Sequence, residues 1–254
     1  MTSAPSSSKL RLMLVRHGQS MNNVVQERIG PMLQRGDITA EEFTRLWMSE
    51  RVDDPDLSSK GKAEAEKLGQ YYAAWLRKEG VGAKLYASAM VRACQTIQPL
   101  SEALGIGAQV RPDIFEVGGI YSSDSEGRPA PGKTNTAAEL QALFPTYDVQ
   151  AVAEVANGGM WYTQGHESRQ EAIQRANTVS AWLKSPALAA EVNGDVAFMV
   201  MHADFLNLLC KELLGTKTDF LFANTSTALM EIDTITGHIT VIHMVRVDHL
   251  ISSL

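Results

Sequence analysis

The sequence predicts an α/β fold, a three-layer α/β/α sandwich around a mostly parallel central sheet. Three observations lead there. Short apolar runs at 10–15, 83–87 and 196–201 read as buried strands. Stretches with helical spacing alternate with them, at 60–79, 89–104, 167–184 and 204–214. The chain then closes on two strand-like runs, 228–233 and 238–247, joined through Thr236-Gly237, a hairpin signal. Strand and helix in alternation imply parallel pairing with helices on both faces. The hairpin adds one antiparallel edge.

The remaining elements follow in order. Residues 1–8 are rich in Ser, Thr, Ala and Pro and read as a flexible tail without the basic start or apolar core of a secretory signal. One domain is expected over 9–254, since a chain of this length is within the range of a single α/β unit. The polar stretch 19–56 reads as an insertion. It holds one amphipathic helix, 39–49, with Phe43, Leu46 and Trp47 on one face and capping-box spacing between Thr39 and Glu42. That face serves either as a lid piece or as a homodimer interface. Ser58 or Ser59 caps the helix at 60–79, Gly80 to Gly82 ends it, and Gly105 ends the helix at 89–104. A brief strand is expected at 109–111. The region 117–165 carries Gly118-Gly119 and Pro129-Ala130-Pro131-Gly132, and reads as a lid with one helix at 136–143.

Charge and cysteine content narrow the function. A net charge of -6 disfavours nucleic acid and anionic membrane as partners. No apolar run reaches the roughly 18 residues that suggest a membrane span. Cys94 and Cys210 are too few for a disulfide framework, so a reducing, cytoplasmic location is expected.

Two strands end alike, in Val15-Arg16-His17-Gly18 and in Val200-Met201-His202-Ala203. Ligands of open α/β sheets bind beyond the carboxyl ends of the strands. Neighbouring strands would therefore bring His17 and His202 to one rim. Arg92, in the first turn after the strand ending at Ser88, reaches the same rim. Two imidazoles and two guanidiniums suit a compact dianion, because a guanidinium's paired donors match phosphate oxygens. The N–H groups of the helix after His202 could add to them. A neutral imidazole can attack phosphorus, and neighbouring arginines disfavour imidazolium. Gly18 can supply the carbonyl that fixes the tautomer of His17. Glu116, behind Ile114-Phe115 and ahead of Gly118-Gly119, is the candidate acid for the leaving alkoxide.

Leu14-Val15-Arg16-His17-Gly18-Gln19-Ser20 with Asn23 resembles the L-V-R-H-G-E-S-x-x-N signature of the histidine phosphatase (phosphoglycerate mutase-like) superfamily. Leu57-Ser58-Ser59-Lys60-Gly61, Ser88 with Arg92 and Thr96, Gly165-His166-Glu167-Ser168 with Arg175, Val200-Met201-His202-Ala203, and Asn224-Thr225-Ser226 follow in the family's order. The resemblance implies that His17 is the nucleophile, that Arg16, Arg92 and His202 bind the phosphoryl group, that Glu116 is the proton donor, and that Asn23 lies by the substrate phosphate. It implies no metal and no organic cofactor. Gln19 stands where the family commonly has Glu, and Ala203 where it commonly has Gly; both are candidate substrate-binding positions. Arg128 and Lys133 are either solvated loop charges or groups that close over an acidic substrate.

His166 either caps the helix that follows it or meets substrate. His238, His243 and His249 read as surface or packing residues, because no carboxylate or cysteine has ligand spacing with them. The expected function is hydrolysis of a small phosphorylated metabolite through a phosphohistidine. One alternative is phosphoglycerate mutase-type transfer. Against it, the ten residues after Glu116 carry no cation. The other is a catalytically weak phosphate-binding regulatory protein.

Overall fold

The computed structural model describes residues 8–123, 129–156 and 159–251; the expected tail, Arg128 and Asn157-Gly158 fall largely or wholly outside them. The chain runs β1 (Lys9–Arg16), α1 (Met21–Gln34), α2 (Ala40–Glu50), α3 (Ser59–Glu79), β2 (Ala83–Ser88), α4 (Val91–Leu104), β3 (Ala108–Arg111), β4 (Tyr121–Ser123), β5 (Pro129–Pro131), α5 (Ala137–Leu143), α6 (Gln150–Ala156), α7 (Arg169–Leu183), α8 (Pro186–Val192), β6 (Val196–Met201), α9 (Ala203–Leu214), β7 (Thr227–Asp233), β8 (Ile239–Arg246) and α10 (Asp248–Ile251). The central sheet has the order β3-β2-β6-β1-β7-β8. β1, β2, β3 and β6 pair in parallel, and β7 and β8 add the antiparallel edge.

Side-chain alternation along β1 divides the core into two. Met13 and Val15 face one cluster with α3 and α4, through Leu68, Leu76, Ile97 and Leu100. Leu10, Leu12 and Leu14 face the other with α7, α8 and α9, through Val179, Leu188 and Leu209. Covered on both faces, β6 is buried along its whole length and reads as a continuous apolar run without alternation.

Helix α1 departs from the sequence expectation, which held 19–56 to a single helix. Ser20 and Asn23 form a capping box at its start, yet Ile29 is its one buried residue and Pro31 lies inside it. Its positions 23, 26, 27, 30, 31 and 34 line a cleft and not the core. The hairpin β4–β5 and helices α6, α8 and α10 were also beyond the sequence reading. No helix among the described residues is long and apolar enough to cross a membrane.

The stretches 19–56 and 117–165 leave and return at pinned points. Met21 N donates to Asp56 O (3.0 Å) and Ser58 N to Gln19 O (2.8 Å), so α1 and α2 form a closed excursion between β1 and α3. Glu167 N donates to Gly118 O (3.0 Å) and closes the second excursion. The first closure depends on backbone contact. A Cβ on Gly18 would lie 2.7 Å from Gly61 O, and a Cβ on Gly61 only 2.0 Å from Gln19 O.

Replacing a helical glycine by alanine ordinarily stabilises by up to about 1 kcal/mol. For Gly61→Ala the opposite sign is expected, since neither backbone segment can yield without moving the end of β1. A loss of about 2 kcal/mol or more is predicted, measured as a lower urea midpoint. A midpoint at or above wild type would show that the contact yields freely.

Candidate active site

The carboxyl ends of β1, β6 and β2 deliver the central groups. Arg16 pairs with Met201 across β1 and β6, and His17 N donates to Met201 O at 2.9 Å. The rings of His17 and His202 consequently lie 5.1 Å apart, centroid to centroid. Both residues are buried. His17 Nδ1 lies 2.6 Å from Gly18 O, and a carbonyl can only accept, so the proton sits on Nδ1. The lone pair on Nε2 receives the Nε–H of Arg92 at 3.2 Å. The two bonds agree on one neutral tautomer. Burial, then the charges of Arg92 and Arg16, push the pKa of His17 well below its ordinary 6.5. His202 is pushed down for the same reasons, burial first and Arg92 second. Its Nε2 meets Ser88 Oγ at 2.9 Å, and its Nδ1 has no partner among the described residues.

The guanidiniums are held from behind. Arg16 Nη1 donates to Phe222 O at 2.7 Å. Arg92 is buried and faces Asp54 at 3.8 Å. Asp54 accepts the Val91 N–H at 3.1 Å, and burial raises its pKa to about 6. Asp54 belongs to an acidic turn that carries no motif, so sequence reasoning missed it as the counter-charge of Arg92.

Glu116 accepts backbone N–H groups from Val117 (2.8 Å), Phe205 (3.0 Å) and Asp204 (3.4 Å). Two of these donors open α9, so that helix start grips Glu116, where the sequence had offered its N–H groups to the anion. Burial, then the charge of Asp204, raises the carboxyl above its usual 4.5 against the pull of Arg92 and the N–H groups. Arg175 steadies the approach to Glu116. It forms a two-toothed pair with Glu167 (2.8 and 2.7 Å) and donates to Asp113 O (3.1 Å) and Phe115 O (2.9 Å).

These groups open on a cleft of about 690 Å³ that Arg16, His17, Arg92, Glu116, Asn23 and Ala203 line together. Asn23 Oδ1 accepts from Ser20 N (3.1 Å) and Asn224 Nδ2 (3.3 Å). Two expected positions lie elsewhere. Gln19 turns away from the cleft, its Oε1 accepting from Ser58 Oγ (2.6 Å) and its Nε2 donating to Glu27 (2.7 Å). Lys133 lines a separate, smaller cavity beside Asp53 and Glu139, and its backbone N–H donates to Asp53 at 2.7 Å. Arg128 is outside the described residues. His166 packs edge-on against Tyr121, ring centroids 5.0 Å apart, and does not line the cleft.

Arg51, which no motif marks, does line it. Its guanidinium stacks over Tyr121 at 4.1 Å and lies 3.9 Å from Asp53. Among the described residues, no group of three or more His, Cys, Asp or Glu is arranged to hold a metal ion.

Solved structures with this arrangement of elements include an Entamoeba histolytica phosphoserine phosphatase variant in complex with phosphoserine. It is 15% identical, with a TM-score of 0.54, covering 95% of this chain and 99% of that one. A mycobacterial glucosyl-3-phosphoglycerate phosphatase is 19% identical (TM-score 0.52, 93% and 99% covered). The ecdysone phosphate phosphatase of Bombix mori, in complex with tungstate, is 15% identical (TM-score 0.56, 92% of both). At these identities the likeness is one of fold. No curated protein sequence matches the chain. The family model described as histidine phosphatase superfamily (branch 1) matches residues 12–245, nearly the whole chain, and the protein belongs to that superfamily.

Proposed function

We propose that the protein hydrolyses phosphomonoesters of small metabolites through a phosphohistidine at His17. The observation that carries this reading is the single neutral tautomer of His17, with Nδ1 tied to Gly18 O and the Nε2 lone pair turned to Arg92. Nε2 attacks phosphorus while the ester P–O bond breaks, and the leaving oxygen takes the proton of Glu116. Arg16, Arg92 and His202 hold the equatorial oxygens, where charge grows as phosphoryl moves. His202 Nδ1 has no partner among the described residues, and with Ser88 Oγ donating to Nε2 it carries the proton that a phosphate oxygen accepts. Water then attacks phosphorus as the P–N bond breaks, gives a proton to Glu116, and leaves inorganic phosphate and the neutral His17 imidazole. None of these steps calls for a metal or an organic cofactor.

Hydrolysis is favoured over mutase chemistry by the charges lining the cleft. A mutase must hold a carboxylated intermediate while it turns. Among the described residues, the lining cation beyond Arg16 and Arg92 is Arg51, which already faces Asp53 and Tyr121. Glu27, Asp53 and Asp204 line the same space.

His17→Ala is expected to lower p-nitrophenyl phosphate turnover by more than about 10³-fold. Wild type denatured in detergent near neutral pH should carry label from a 32P-ester in an acid-labile, base-stable form, absent from the variant. Label found in a base-labile ester would assign the nucleophile elsewhere.

The pH profile has a worked sign. A lowered His17 pKa keeps the nucleophile unprotonated below pH 6.5, and a raised Glu116 pKa keeps the acid protonated above pH 4.5. Activity on alkyl phosphates should therefore peak in mildly acidic solution and fall as Glu116 ionises. Glu116→Gln should lose about 10²-fold or more on alkyl esters and far less on p-nitrophenyl phosphate, whose leaving group needs no proton. Equal losses on both esters would remove Glu116 from the acid role.

A further inference from the structure

We infer that His249 is a positioning residue for the nucleophile, acting by holding Thr225 in a left-handed backbone conformation that grips the peptide after His17. Thr225 has φ 55 and is fully buried. A β-branched residue adopts that conformation at a cost of about 1–3 kcal/mol and keeps it where its surroundings fix it. Its hydroxyl is fixed on both sides. Thr225 Oγ1 donates to Asn224 O at 2.8 Å, which leaves the oxygen to accept from His249 Nε2 at 2.9 Å. The imidazole therefore carries its proton on Nε2 and leaves Nδ1 bare, and Nδ1 has no partner among the described residues. Burial agrees, lowering the pKa of His249 to about 4. The ring is buried under α10, with the rings of Tyr71 and Tyr72 at 6.3 and 6.2 Å.

The conformation matters because of what Thr225 holds. Its N–H donates to His17 O at 3.3 Å, and Asn224 Nδ2 donates to the same oxygen at 3.0 Å. The N–H of that peptide, from Gly18, donates to Thr96 Oγ1 at 3.0 Å. Both edges of the peptide between His17 and Gly18 are thus pinned. These bonds fix the Cα atoms of His17 and Gly18, from which the imidazole and the Gly18 carbonyl extend; if the segment shifts, Gly18 O leaves His17 Nδ1 and the nucleophilic nitrogen loses its aim. His249 does not line the cleft; it acts through Thr225.

The test uses the full chain with His249→Met, which keeps volume and removes the donor, and His249→Gln, which restores an N–H near the position of Nε2. His249→Met should lower kcat on p-nitrophenyl phosphate about tenfold or more, as misplaced reacting groups do, with KM and inorganic phosphate affinity within about twofold; His249→Gln should recover most of the loss. In a Thr225→Gly background, where positive φ has no steric cost, His249→Met should cost less than about twofold. Full kcat in His249→Met with only a lower unfolding midpoint, or the same tenfold loss in both backgrounds, overturns the inference. The turnover arm rests on the phosphatase reading. Imidazole 15N spectra do not: His17 should show one sharp Nδ1–H tautomer in wild type and a mixture in His249→Met. Inert wild type with this spectral change would refute the phosphatase reading alone, and identical His17 signals in both proteins would refute the role of His249.

Discussion

Two imidazoles buried beside two guanidiniums set the terms for the rest of the site. The parallel register of β1 on β6 puts the rings 5.1 Å apart and away from solvent. A third or fourth positive charge there would have no hydration shell and close repulsive neighbours, so both rings must be neutral. A neutral His17 needs an acceptor for one nitrogen and a donor or electrophile for the other, which Gly18 O and Arg92 provide. Arg92 in turn needs an anion behind it, which explains Asp54 in a place where burial raises its pKa. The neutrality of His17, its tautomer and the placing of Arg92 are one constraint seen three ways.

The two excursions can build the cleft without disturbing that centre because each closes on a short backbone clasp. Gln19 with Ser58 and Met21 with Asp56 close one; Gly118 with Glu167 closes the other. Arg175 sits at the second clasp. Its guanidinium lies 3.5 Å over the Phe115 ring and 4.1 Å from that of Phe205, so the residues flanking Glu116 in sequence and in space share one planar cation. Length and composition beyond the clasps are then free to differ from relatives.

Much of the fold was legible because burial writes itself into sequence. β1, β2 and β6, and helices α3, α4, α7 and α9, present apolar faces to one of two cores, and periodicity reads apolar faces. Helix α1 was illegible for the same reason. Its inner face meets the cleft, so Asn23, Gln26, Glu27 and Gln34 stand where a core helix would carry Leu or Ile. His17, Arg92 and His202 were readable from strand ends and spacing. Arg51 and Asp54 were not, since each takes its place through tertiary partners, Tyr121 for one and Arg92 for the other. His249, read as a surface or packing residue, is buried against Thr225 through a contact that no local pattern announces.

The departure from the family signature at Gln19 has a physical account that lies eight residues further on. The Gln19 amide stands between a donor and an acceptor. Its oxygen takes the Ser58 hydroxyl and its nitrogen donates to the carboxylate of Glu27. Its own backbone N–H already holds Glu64 at 2.8 Å. A glutamate at this buried position would set its carboxylate between that of Glu64, also buried, and that of Glu27 at the exposed end of the contact. An amide turns that repulsion into a hydrogen bond and aims the Glu27 carboxylate along the wall of the cleft. Position 19 therefore follows from Glu27, and Glu27 from the face that α1 turns toward the cleft. A signature position differs without touching the His17, Arg92 and His202 cluster because its side chain here orients the wall.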